Sequence, residues 1–176
     1  MTVLESGKLS VQFGELGEYV GTYSALVGVG GVYKEVVREQ LGQLLSHLKK
    51  RTVTVPARRF YEELHDNSSV KPWFVFLNDF NARYPLVAYG ELHLHFRADE
   101  TTGYIENIIR DPEEKYRRKG IGEHVVRNLL NEARMRGATK VQLTSRLDRQ
   151  AAHAIYLKIG FNKITGGRDI FEFKFD

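Results

Sequence analysis

The sequence predicts an α/β (α+β) chain in which a mixed central sheet of about six to seven strands is flanked by about four helices. Three observations predict it. Helical and strand periodicities follow one another in the order α, α, β, β, β, α, β, α, β, β, with one strand-like stretch in front. Two long strand-like runs, Leu86–Phe96 and Tyr104–Arg110, are separated by a short polar turn, as in a hairpin. A basic glycine loop then joins a strand to a strongly amphipathic helix.

The elements are justified in chain order. Residues 1–31 contain a strand-like fragment at Lys8–Phe13 and many glycines. From Tyr33 to Leu48, Val36, Val37, Leu41, Leu44, Leu45 and Leu48 recur at helical spacing. Pro56 suits the first turn of a second helix carrying Phe60, Tyr61 and Leu64, which should end at Asp66-Asn67-Ser68-Ser69. Trp73–Leu77 is an aromatic and β-branched strand, and Asn78–Pro85 a loop. Gly90, inside the run Leu86–Phe96, marks a bulge or kink.

From Ile121 the period becomes helical, with Val125, Val126, Leu129, Leu130 and Ala133 on the same stripe and Gly137 placed to end it. Lys140–Thr144 is a strand. Asp148 suits the N-cap of a helix that runs through Ile159 and closes at Gly160. Phe161–Ile164 and Ile170–Phe175 form a last strand pair around Gly166-Gly167. With 176 residues and neither repeat nor linker, the chain is expected to be one domain, with 1–31 an atypical N-terminal extension serving as a dimer element or a lid.

Composition narrows the function classes. Without cysteine the chain has no disulfide, no thiolate nucleophile and no Cys-based zinc site, which suits a cytoplasmic location. The N-terminus lacks the apolar core of a signal peptide, and no run approaches the roughly 18 apolar residues of a membrane span, so no membrane partner is expected. The net charge of +4 arises partly from clusters at Lys49–Arg51, Arg58-Arg59 and Lys115–Lys119. Such clusters are ordinary solvated faces or phosphate sites, and position in a motif separates the two. A nucleic-acid platform would need exposed aromatics among them, whereas Phe74, Phe76 and Phe96 stand in apolar strands. His93, His95, His124 and His153 form no metal motif, and Ser145 has no nucleophile elbow. Neither a metal nor a nucleic acid is therefore expected.

The segment Arg117-Arg118-Lys119-Gly120-Ile121-Gly122 lies between the strand ending near Arg110 and the helix starting near Ile121. Backbone amides at a helix N-terminus have no intrahelical partners and the dipole favours anions, so this loop suits a pyrophosphate. It lacks the spacing of a Walker loop, and Val125 stands where a dinucleotide fingerprint needs glycine.

Arg117-x-x-Gly120-x-Gly122 resembles the R/Q-x-x-G-x-G/A motif of the GNAT N-acetyltransferases. The preceding Tyr104–Pro112 looks like that family's strand, and Ala152–Phe161 looks like its A-x-x-x-Y-x-x-x-G-F helix end. The resemblance covers roughly residues 70–175. It implies a GNAT fold whose segment 104–161 binds acetyl-CoA, as co-substrate, and carries the chemistry. Arg117, Arg118, Lys119, Gly120, Ile121 and Gly122 would cradle the pyrophosphate. Main-chain groups of Ile108, Ile109 and Arg110 would pair with the pantetheine arm, and the rest of the cofactor site would lie near Thr144 to Arg149. Many members carry asparagine where Arg149 stands, and a phosphate contact is expected of the arginine instead.

Attack of an amine on a thioester needs a base, an oxyanion donor and an acid for the thiolate. Glu106 sits mid-strand among apolar residues, so half-burial with a raised pKa is expected, suiting it as the base. Tyr156 falls on the tyrosine that the family commonly uses as the acid, with its ring beside Phe161, and the backbone N–H near Ile109 is the family's oxyanion donor. The resemblance implies a primary-amine acceptor, expected to be a polyamine, amino sugar or aminoglycoside; a protein N-terminus or lysine is the alternative. A polycationic acceptor would be met by Glu62, Glu63, Asp66, Glu91, Asp99 and Glu100. The chain departs from the pattern at its loop, which is about two residues longer through Glu113-Glu114-Lys115 and has Arg118 where glycine is common.

Overall fold

The computed structural model describes residues 2–4, 8–12, 18–22, 33–60, 69–77, 86–164 and 169–175. Expectations at Phe13, Tyr61, Leu64, residues 66–68, 78–85 and Gly166-Gly167 lie outside them.

One mixed sheet of nine strands organises these residues, in the order β1-β2-β3-β4-β5-β6-β7-β9-β8. The strands are β1 (Thr2–Leu4), β2 (Lys8–Gln12), β3 (Glu18–Thr22), β4 (Val70–Leu77), β5 (Leu86–Phe96), β6 (Thr101–Arg110), β7 (Lys140–Ser145), β8 (Asn162–Ile164) and β9 (Asp169–Lys174). Three helices accompany them: α1 (Tyr33–Lys49), α2 (Ile121–Met135) and α3 (Gln150–Ile159). The sheet is longer than expected because the N-terminal segment supplies three strands, of which only β2 had a readable pattern. β3 pairs antiparallel with β4, so this segment continues the sheet outward. The second expected helix is represented by a helical turn at 57–60, where Phe60 N–H donates to Pro56 O at 3.0 Å.

Apolar cores cover both faces of the central strands. Trp73, Val75, Leu92, Val125, Leu129 and Phe171 belong to the core beneath α2 and α3. Leu41, Phe60, Phe74 and Tyr89 belong to the core beneath α1. The α2 stripe is buried as its periodicity requires: Ile121, Val125, Val126, Leu129, Leu130 and Ala133 all face the sheet.

Two features open the sheet. At Gly90 the β5–β6 ladder slips: Tyr89 pairs with Ile109 but Glu91 pairs with Glu106, so Asn107 and Ile108 oppose one glycine. Asn107 takes φ 52°, the left-handed conformation that asparagine tolerates better than most residues. A Cβ on Gly90 would stand 2.7 Å from Val125 Cγ1 and 2.9 Å from Leu129 Cδ1, so its absence lets α2 lie against the bulge. β6 and β7 are the only parallel neighbours among the described strands, and their register ends at Ile105↔Leu143. Beyond it β6 continues to Arg110, while Thr144 and Ser145 pair with β9.

Candidate active site

The divergence of β6 and β7 brings together residues far apart in sequence. Glu106, Asn107 and Ile108 from β6, Thr144 and Ser145 from β7, and Arg146, Arg149 and Tyr156 line one cavity. A second, beside it, is lined by Ile108, Ile109, Arg110, Gly122, Val126, Arg149, Ala151, Ala152, Ile155 and Tyr156. A third is lined by Arg110, Arg118, Lys119, Gly120, Ile121, Gly122, Glu123 and Lys158, among others. Ile108, Arg149 and Tyr156 are common to the first pair, and Arg110, Gly122, Ala151 and Ile155 to the second. The cavities therefore run in series from the basic loop to the mouth of the sheet.

At the loop end, Gly120 caps α2 in a left-handed conformation, φ 80° and ψ −1°, which glycine adopts without steric cost. Arg118 is also left-handed, at φ 55°. No side chain caps α2, so the amides of its first turn are left for a ligand. Glu123, the acid of that turn, accepts from Lys158 at 2.8 Å and Arg127 at 2.9 Å, which lower its pKa. Arg118 and Lys119 are exposed and have no ion pair among the described residues. The longer loop has its own internal fastening. Asp111 Oδ1 accepts from Glu113 N–H at 2.9 Å, and the Arg110 guanidinium donates to the carbonyls of Asp111 and Glu113. Arg117, expected to cradle phosphate, forms an exposed ion pair with Glu114 at 3.0 Å and is not among the residues that line this cavity.

The middle cavity is walled mainly by Ile108, Ile109, Val126, Ala151, Ala152 and Ile155. Ala151 and Ile155 had not been singled out; their i, i+4 spacing on α3 is the signal that could have found them.

At the far end, Tyr156 is buried, its ring packing on Phe161 at 6.0 Å, as expected, and on Phe171 at 5.2 Å. Burial raises its phenol pKa, while Arg149 and Ser145 act in the opposite sense. Arg149 itself stands at the N-cap position of α3, and burial followed by neighbouring Arg146 lowers its pKa. Asp148 does not cap the helix; it is held by Arg146 at 3.2 Å and Lys50 at 3.7 Å. Glu106 shares the cavity with Tyr156 but is exposed. The half-burial expected of it is not seen; its cross-strand partner Glu91 is the buried carboxylate, at 2% exposed.

Burial alone would raise the Glu91 pKa, but hydrogen bonds from His93 at 2.9 Å and Tyr89 at 2.8 Å, and one from Asn107, hold it below the usual carboxylate value. The same bond raises His93. Of the other histidines, His95 packs on the Tyr104 ring at 4.8 Å, His124 on Trp73 at 5.8 Å, and His153 faces Asp169. No group of three metal-ligating side chains occurs among the described residues.

A cationic amide-rich end, an apolar middle and a polar end with a carboxylate and a phenol thus follow one another along this groove. The acetyltransferase (GNAT) family model matches residues 39–161. The chain belongs to the GNAT acetyltransferase family.

Among relatives of this GNAT protein, the [ribosomal protein bS18]-alanine N-acetyltransferase of Escherichia coli K12 is 36% identical over 73 residues, covering 42% of this chain and 47% of the relative. The chain thus spans about half the length of the curated relatives it matches. The fold is shared with the GNAT domain of Streptomyces lividans PAT, at TM-score 0.71 and 10% identity over 99% of this chain and 100% of the other. Arabidopsis thaliana NAA60, solved with a bisubstrate analogue, superposes at TM-score 0.63 and 12% identity, over 84% of this chain and 96% of that one. No described helix of this GNAT chain is long and apolar enough to cross a membrane.

Proposed function

We infer that the chain transfers the acetyl group of acetyl-CoA to a primary amine by direct attack in a ternary complex. The observation that carries this reading is that Glu106 and Tyr156 line one cavity, in series with the phosphate-suited loop. The amides at the N-terminus of α2, with Arg118 and Lys119, would hold the diphosphate. The stretch of β6 from Ile108 to Arg110, beyond the reach of β7, would pair with the pantetheine arm. Acetyl-CoA supplies the activated acyl group. Glu106 takes the amine proton, directly or through water, which its exposure permits. An N–H near Ile109 faces the developing oxyanion, and Tyr156 gives its phenolic proton to the departing sulfur. A phenol whose pKa burial has raised stays protonated until that moment.

The acceptor follows from what does not converge. Of the carboxylates expected to receive a polycation, Glu62, Glu63 and Asp66 lie outside the described residues. Glu91 is buried and engaged, and Asp99 and Glu100 sit at the β5–β6 turn, before the first residue of β6, whereas Glu106 stands mid-strand. Glu106 is the one carboxylate among the described residues lining its cavity, beside Arg146 and Arg149. A singly charged amine, such as a polypeptide α-amine, fits this balance better than a polyamine or aminoglycoside. The bS18-alanine relative acts on that acceptor class.

Calorimetry with acetyl-CoA, followed by CoA release against polyamines, amino sugars, aminoglycosides and peptides with free α-amines, tests the reading. Micromolar binding and turnover on an α-amine peptide support it. Turnover confined to polyamines would replace the acceptor class, and no acetyl-CoA binding would remove the activity altogether.

A further inference from the structure

Two buried polar atoms that the proposed chemistry does not use, Ser145 Oγ and His153 Nε2, have no hydrogen-bond partner among the described residues. They belong to one neighbourhood. Ser145 ends β7 and stands directly opposite Asp169, the first residue of β9, so their side chains share a face. His153 reaches toward that carboxylate from α3, with Nδ1 3.5 Å from Asp169 Oδ2, while Lys163 Nζ donates to Asp169 Oδ1 at 2.8 Å. His153 and Tyr156 are three residues apart on α3, and both rings rest on Phe171, at 5.0 and 5.2 Å. His153 and Tyr156 thus share one phenylalanine, with Asp169 two residues before it on β9 and Ser145 opposite Asp169.

Leaving a buried hydroxyl and a buried imidazole nitrogen unsatisfied disfavours the folded state. An apolar pair of the same size would fill the space without that cost. The two atoms are complementary, since a hydroxyl both donates and accepts and an imidazole nitrogen does either. Ser145 and Tyr156 line the same cavity, and the Lys163 side chain of the ion pair at Asp169 is 44% exposed.

We propose that His153, oriented by Asp169, returns a proton to Tyr156 through the Ser145 hydroxyl after each acetyl transfer. The proposal rests on the reading of Tyr156 as the acid. Once Tyr156 has protonated the departing sulfur it is a phenolate. The Ser145 O–H bond breaks toward the phenolate oxygen as Ser145 Oγ takes the Nε2 proton of the His153 imidazolium, directly or through a bridging water. His153 is left neutral with Nδ1–H toward Asp169 and regains its proton from solvent. The amine proton leaves separately through Glu106, so one proton is released and one taken up per turnover. Arg149, one turn before His153, and Lys163 are the cations facing this group, and Asp169 is its acid.

The test compares His153→Gln, Ser145→Ala and Asp169→Asn in the full chain, alone and combined with Tyr156→Phe. CoA release is followed with acetyl-CoA and an alanine-starting hexapeptide. Each single change is expected to lower kcat about 10- to 100-fold with the acetyl-CoA KM unchanged, and to add nothing in the Tyr156→Phe background. A second readout needs no acceptor: in protein labelled at tyrosine ¹³Cζ, with the Tyr156 signal assigned by Tyr156→Phe, Ser145→Ala should move the Tyr156 titration to higher pH. An unaltered kcat in His153→Gln with Tyr156→Phe slow overturns the relay alone, as does an equal loss in both backgrounds. A fast Tyr156→Phe overturns the parent reading. If the hexapeptide is not turned over, a Tyr156 titration unmoved by Ser145→Ala overturns the relay.

Discussion

Glu91 and Glu106 are directly paired across the β5–β6 ladder, and the two carboxylates occupy opposite environments. Glu91 is 2% exposed and saturated by Tyr89 and His93, whereas Glu106 opens into the cavity that holds Tyr156. The buried member is a fixed piece of the sheet, and the exposed member is open to the cavity.

Glu106→Gln should therefore cost activity without costing the fold. The expected result is a kcat lower by about 10²- to 10⁴-fold, with acetyl-CoA affinity and melting temperature close to wild type. Steady-state kinetics beside calorimetry checks this, and a variant with wild-type kcat would move the base elsewhere.

Arg118 and Lys119 have no ion pair among the described residues, so removing either breaks no bridge. Each alanine replacement should weaken acetyl-CoA binding by about tenfold, or ~1.4 kcal/mol. Stability should stay within about 0.5 kcal/mol, as at other exposed positions. Arg117→Ala, which loses only the pair with Glu114, should bind nearly as wild type. Titration calorimetry of the three variants distinguishes the cations.

Much of this site was legible in the sequence, and the parts that were not have physical reasons. The α2 stripe and the loop before it were readable because amphipathic period and glycine placement are local properties. The bulge at Gly90 was readable too, but not the left-handed Asn107 opposite it, because alternation does not say which strand takes the extra residue. Glu106 shares a cavity with Tyr156 but lacks the half-burial its strand suggested: alternation names a face, not what covers it. Asp148 is a good capping residue by type, yet Arg146 and Lys50 draw its carboxylate aside. Ser145 showed in the sequence neither nucleophile elbow nor partner, since its neighbours Asp169 and His153 arrive from β9 and α3.

The histidines should shape the pH dependence of stability in opposite senses. Burial lowers the His124 pKa from 6.5 to about 4, so its unfolded form takes up a proton first, and stability falls as pH drops from about 6.5 toward 4. His93, raised chiefly by its bond to Glu91, contributes stability that is complete below the unfolded pKa near 6.5 and is lost as pH climbs through its folded pKa. Urea melts at pH 5 and 8 should show His124→Leu recovering stability at pH 5 relative to pH 8. His93→Gln should lose more at pH 5 than at pH 8. Equal differences at both values would contradict the assignment.

Gly90→Ala probes the bulge. The added methyl would meet Val125 and Leu129 inside van der Waals contact, and relieving it should cost about 1–3 kcal/mol in a urea melt. Because α2 carries the phosphate loop at its start, acetyl-CoA affinity should fall with it.

The parallel register between β6 and β7 has a mechanical consequence. It joins the two leaves of the sheet through four residue pairs, Thr102↔Lys140 to Ile105↔Leu143, and then the leaves part. Along the backbone the molecule is stitched at one end of this seam and open at the other. A cofactor laid along β6 beyond Ile105 would act as the missing thread, so loading should stiffen both leaves at once. Amide exchange at Ile108–Arg110 and at Thr144-Ser145 should slow together on addition of CoA, coupling the grip on the donor to the rigidity of the whole sheet.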